Sequence, residues 1–98
     1  MKVSNMISSK GNPVANQFVI ENCIRNITGI LETGTMFQSY DSCIAFKPNN
    51  PSVKIFLDKT YWDYSVTTGK YRNMFLGETK KETEKKIKSG EYKLVDLN

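Results

Sequence analysis

Ninety-eight residues with fourteen Lys or Arg, ten Asp or Glu and no histidine carry a net charge of +4. A chain of that length builds one domain, residues 1–98, whose small core leaves little room for a separate second site. The missing histidine removes Ser-His-Asp and Cys-His nucleophile activation and imidazole metal ligation, and no run of about 18 apolar residues is present to cross a membrane.

The first residues, Met1 to Ser9, include no apolar stretch of signal-peptide length, so a cytoplasmic setting is expected. Val3 to Ile7 reads as a short strand. Lys10-Gly11-Asn12-Pro13 is a turn signal. Gln17 to Ile24 is rich in branched and aromatic residues, as strands are. Thr33-Gly34 reads as a second turn. Thr35 to Phe46 alternates, which would put Met36, Tyr40, Ile44 and Phe46 on one face and Ser39, Asp41 and Ala45 on the other. Pro48-Asn49-Asn50-Pro51 separates that strand from Val53–Asp58, whose Val53, Ile55 and Leu57 would point inward. Residues 1–58 therefore predict an antiparallel sheet of three to four strands.

After Asp63 the period changes. Tyr64, Thr68, Tyr71 and Phe75 fall on one helical face, with Met74 beside them. Asp63 or Ser65 can cap the start of this helix and Gly77 its end, giving a helix near 64–76. Gly69 inside it weakens the helix by roughly 1 kcal/mol relative to Ala, or marks a break or a close contact. Thr79 with Glu82 three residues on forms a capping box for a second helix near 80–89, closed by Ser89-Gly90. Tyr92, Leu94, Val95 and Leu97 supply a last apolar piece, either a strand or an extended tail that packs back. The fold class is α+β, the sheet followed by two C-terminal helices.

The remaining chemistry is sparse. Cys23 and Cys43 form no CxxC and read as buried thiols of a reducing compartment, with a cross-strand disulfide as the alternative. Asn26-Ile27-Thr28 matches a glycosylation sequon but has no secretion signal to give it meaning. No phosphate-cradling glycine motif is present. Asp58 and Asp63 read as a turn residue and a helix cap rather than as a catalytic pair. No enzyme, cofactor or metal is expected.

Contact chemistry concentrates elsewhere. Residues 1–46 hold three cations (Lys2, Lys10, Arg25) and three acids (Glu21, Glu32, Asp41), so the net charge lies entirely in the second half. Its densest part, Lys80 to Lys88, is either a basic face for phosphate or for an acidic protein, or a solvated helix laced with pairs such as Glu82–Lys86 and Glu84–Lys88. The only tryptophan and three of the five tyrosines stand in Tyr61–Tyr71 among Lys70 and Arg72. Trp62 is expected at the seam between sheet and helix, packed with Phe18, Ile20, Ile55, Leu57, Tyr71 and Phe75, the alternative being a stacking contact for bases or for a protein pocket. Tyr61, Tyr64, Lys70, Arg72, Lys80, Lys81, Lys85 and Lys88 are the candidate partner-binding residues, with Tyr61, Lys70 and Arg72 as an exposed contact rim.

Several phrases together carry a resemblance. Ser9 to Ile20, Phe37-Gln38-Ser39-Tyr40-Asp41-Ser42, Leu57-Asp58 and Trp62 to Arg72 resemble, in the same order, a small uncharacterised family of phages and mobile elements of Gram-positive bacteria. Cys23 to Leu31 is longer than the usual connection in such proteins. The resemblance implies a phage or mobile-element origin and an intracellular setting, and it assigns no catalytic residue. Small phage proteins of this kind often act by binding. The expected function is therefore a host-defence inhibitor of the anti-CRISPR type, working through contacts with a host protein or ribonucleoprotein complex in the host cytoplasm. The alternative is a nucleic-acid-binding accessory protein that uses the basic second half on DNA or RNA. An open β edge leaves room for a homodimer.

Overall fold

A computed structural model describes residues 1–27 and 29–98. Six strands form one sheet in chain order: β1 (Lys2–Ile7), β2 (Pro13–Ile27), β3 (Ile30–Ser39), β4 (Ser42–Pro48), β5 (Ile55–Asp58) and β6 (Tyr92–Val95). Neighbours pair antiparallel as far as β5. β5 and β6 are parallel, so the chain must cross over between them. Helices α1 (Val66–Leu76) and α2 (Lys80–Ser89) make that crossover. The fold is α+β with two helices as expected, but the sheet is mixed and has six strands instead of three to four antiparallel ones. No helix among the described residues is long and apolar enough to cross a membrane.

Two expectations within the sheet are corrected. Thr35 to Phe46 is not one strand but a hairpin, in which Ser39 faces Ser42 across Tyr40 and Asp41. Tyr40 takes a left-handed φ of 54°, and its N–H donates to the Asn16 carbonyl at 2.7 Å. Thr33-Gly34 is no turn. Gly34 lies inside β3, paired with Cys23 on one side and Pro48 on the other. The sequon falls partly on Thr28, outside the described residues.

Both faces of the sheet are covered. The helix-side core gathers Met6, Phe37, Ile44, Ala45, Leu57, Tyr71, Phe75 and Tyr92. The opposite core gathers Ile20, Cys23, Ile27, Met36, Cys43, Phe46, Phe56, Val95 and Leu97. Alternation explains the split between Met36 and Phe37, and between Phe56 and Leu57. It also corrects the expected Trp62 cluster, because Ile20, paired with Met36, points away from the helices while Val19, paired with Phe37, points toward them. Phe18 shares the parity of Ile20 and is only half-buried. The β3–β4 register changes by one residue at Ile44, a bulge that lets Ile44 and Ala45 both reach the helix side. Cys23 and Cys43 are free and buried, and burial pushes the Cys43 thiol up to about 12 despite the nearby Arg25.

The far face is closed by the chain's last residues. Leu97 is buried there, and Arg25 donates to its carbonyl. Asn98 exchanges hydrogen bonds with the Cys43 backbone. The Asp58 carboxylate ties this tail to the crossover, accepting from Leu97 N–H at 2.8 Å and from Thr60 and Tyr61 N–H at 3.0 and 2.8 Å. Asp58 is thus the turn residue its position suggested.

Local signals set both helices. Ser65 caps α1 by accepting from Thr68 N–H, and Thr79 and Glu82 close a full capping box on α2. Gly77 and Gly90 end them in left-handed conformation. The buried face of α1 comprises Thr68, Gly69, Tyr71, Arg72 and Phe75, whereas Tyr64 and Met74, expected on it, are exposed.

Glu78, between the helices, locks α2 to β6. It accepts from Lys86 at 2.8 Å, Thr83 at 2.6 Å and Tyr92 at 2.7 Å. Burial by itself would raise its carboxyl, but the hydrogen bonds from Lys86, Thr83 and Tyr92 and the Lys86 charge outweigh it and hold the group below its ordinary value of 4.5. A depressed carboxyl contributes stability that is present above the unfolded pKa and is lost as pH falls through the folded one. Denaturant midpoints should therefore fall as pH drops below about 4.5, and Glu78→Gln should lower the neutral-pH midpoint while flattening that acid limb. An acid limb equally steep in the variant would show that other carboxylates set it.

Candidate functional site

The short connection from β5 to α1 and the start of both helices enclose an open groove of about 750 Å³, within the size range of ligand sites. Asp63, Tyr64, Val66, Lys70, Arg72 and Lys80 line it, with Ser65, Gly69 and Asn73.

Arg72 is its floor. The expected rim cation has a side chain only 1% exposed. Its position on the buried face of α1 carries the guanidinium under the connection. There Nη1 donates to the Trp62 carbonyl at 2.7 Å and to Asp63 Oδ1 at 2.9 Å, and Nη2 donates to Asn73 Oδ1 at 3.0 Å. The guanidinium carbon stands 5.1 Å from the centre of the Trp62 ring, a cation–π contact. Trp62 itself is half-buried and packs against the helix-side core, at the seam where it was expected.

Asp63 does not cap α1. Its second oxygen takes Lys80 Nζ at 2.7 Å, so one carboxylate stands between two cations. Burial alone would raise it, but the hydrogen bonds and charges of Lys80 and Arg72 prevail and hold it below its ordinary value. Asp63 in turn raises the Lys80 ammonium. This ion group joins α2 to the start of α1.

Above this floor the lining is apolar and open. Val66 is 91% exposed and Tyr64 45%. Tyr61 packs edge-on against Tyr64, ring centres 5.5 Å apart, and is itself half-buried in the helix-side core. It supports Tyr64 from behind rather than standing in the rim. Gly69 adds no side chain, and a Cβ there would lie 3.6 Å from Arg72 Nη2 and 3.7 Å from Asp63 Oδ1. The helix passes through Gly69 unbroken and those distances are ordinary contacts, so neither the break nor the close contact expected from the sequence is realised.

The structure thus brings Tyr64, Lys70, Arg72 and Lys80 together, with Tyr61 adjoining. Lys81, Lys85 and Lys88 do not join them. These three are exposed, recur at a spacing of four and three residues on one stripe of α2, and make no ion pair among the described residues. The sequence reading missed Val66, whose isolation on a helix start carries no signal, and Asp63 as an ion-pair centre. It also missed Lys47, which donates to the Phe75 carbonyl at 2.9 Å over the Phe75 ring, where burial lowers its pKa. Among the described residues no group of three or more His, Cys, Asp or Glu is placed to hold a metal ion.

The pattern of a family of unknown function, DUF8033, matches residues 1–91. The chain belongs to that family. No curated protein and no solved structure matches it.

Proposed function

We propose that this DUF8033 member is a binding protein whose contact face is the groove between α1 and α2, and that its partner is a protein or a ribonucleoprotein complex. The observation that carries this reading is the groove itself, where the exposed Tyr64 and Val66 stand beside Lys70 and Lys80 over a fixed ionic floor. Rigid aromatic anchors next to cations, held by a preorganised base, are what interface hot spots are made of. In its finer form the proposal follows the phage and mobile-element resemblance: a host-defence inhibitor of the anti-CRISPR type acting in the host cytoplasm. The β1 edge pairs on one side only and exposes Val3 and Ile7, so a second copy of the chain would dock there.

The stripe of Lys81, Lys85 and Lys88 favours a second reading, in which the protein assists nucleic-acid transactions. Capture of partners from the infected host, with and without nuclease, separates the two. Under the first reading the complex survives nuclease, depends weakly on salt and is lost on Tyr64→Ala. Tight binding to bare DNA or RNA at physiological salt, with a log–log salt slope near −0.7 to −0.9 per phosphate contact, would reverse the order.

A further inference from the structure

We infer that the α1–α2 groove takes an acidic peptide segment bearing an apolar side chain, a partner chemistry that rests on the protein-binding reading above and narrows it. Charge is the first reason. Asp63 neutralises one of the two cations it touches, Arg72 and Lys80, and leaves the other over. Lys70 adds a second positive charge and makes no ion pair among the described residues. Two carboxylates of a partner meet that excess, one on Lys70 and one sharing Lys80 with Asp63.

The second reason is the surface between those charges. The Tyr64 ring, supported edge-on by Tyr61, and the bare Val66 side chain offer an apolar seat, and Gly69 keeps it open. An apolar side chain flanked by acids fits that seat.

A phosphate chain fits less well. Anion sites at helix ends use free backbone N–H groups, but Ser65 already accepts from Thr68 N–H, and the Glu82 carboxylate occupies the Thr79 cap of α2. A nucleic-acid strand also needs cations along its whole track, whereas Asp63 interrupts this one and Lys81, Lys85 and Lys88 lie outside it.

Trp62 provides the readout, since it is the only tryptophan and its carbonyl and ring both contact Arg72. A short Glu/Asp-rich peptide carrying one Phe is titrated against the full chain, beside its Gln/Asn counterpart and a single-stranded oligothymidylate, with calorimetry in parallel. The acidic peptide should bind saturably with a change in Trp62 emission, and the amide counterpart should not. Lys70→Glu and Tyr64→Ala should each weaken binding at least about tenfold with unchanged melting temperature, and Lys85→Glu should have no such effect. Absence of saturable binding in both emission and calorimetry would overturn the inference. So would oligothymidylate binding that Lys70→Glu abolishes. A nuclease-resistant host complex that depends on Tyr64 but is not displaced by the acidic peptide would overturn it as well, while leaving the protein-binding reading in place.

Discussion

Gly34→Ala is expected to lower the stability of the fold by about 3 kcal/mol, the upper end of what overpacking a well-packed site does. An added Cβ would lie 2.2 Å from the Lys47 carbonyl oxygen and 2.8 Å from Pro48 Cα. Both are backbone atoms of β4, so no side chain can rotate out of the way. The strands must separate at the pair Gly34–Pro48, two residues from Met36 and Phe46 on the far-face core. The neighbouring register shift in β2, between Ile20 and Cys23, gives that part of the sheet little regular ladder to absorb the change. Gly69→Ala is the control in the same denaturant series. Its Cβ meets nothing closer than 3.6 Å, and it removes a mid-helix glycine, so it should gain up to about 1 kcal/mol. Equal midpoints for wild type and Gly34→Ala would mean that β3 and β4 yield to the methyl group.

The same pair of glycines shows where the sequence is legible. Helix starts and stops are written in a few adjacent residues, so Ser65, Thr79, Gly77 and Gly90 place α1 and α2 within two residues of their expected bounds. A strand glycine carries no such context. Thr33-Gly34 has the composition of a turn, and only β4 passing against it distinguishes close approach from reversal. The true reversal, at Tyr40-Asp41, lacks glycine and proline altogether. It is held instead by Tyr40 N–H on the Asn16 carbonyl and by the Gln38 side chain on the Tyr40 carbonyl. Asn16 belongs to β2, so this turn is tertiary in origin. The strand count fell short for the same reason, since the pairing of Tyr92–Val95 with β5 requires the whole helical crossover to be in place first.

Within the site, the aromatic and cationic stretch was legible as the place of contact chemistry, but the depth of each side chain in it was not. In the sequence Tyr64 fell on the inward helical face and Arg72 in the rim, and the structure exchanges them. Tyr64 precedes the helix and stays out, while Arg72 shares the inward face with Thr68, Tyr71 and Phe75. A cation can occupy that face only because Asp63 and the Trp62 carbonyl are waiting for it. Nothing in the spacing of residues 63 and 72 announces that meeting. Gln17 is the counterexample: its amide is fully buried on β2 opposite Ser39, and neither end has a hydrogen-bond partner among the described residues.

Arg72→Ala should therefore behave as a loss of foundation. Breaking a buried ion pair from one side costs about 3–5 kcal/mol. Here Asp63 keeps Lys80 and is partly solvated, which brings the expected loss to about 2–4 kcal/mol. The Trp62 carbonyl and Asn73 Oδ1 lose a charged donor at the same time. Partner binding should fall with it, because Asp63, Tyr64 and Lys80 lose the group that fixes their spacing. Arg72→Lys restores the charge but not the fork that serves three acceptors, so it should recover less than half of the stability. Lys70→Ala, at an exposed site, should leave stability within about 0.5 kcal/mol and weaken partner binding alone. The two observables, melting temperature and partner affinity, thus separate the floor of the groove from its rim. An Arg72→Ala variant that melts like the wild type yet fails to bind would place the guanidinium in the contact surface and refute the structural role assigned to it.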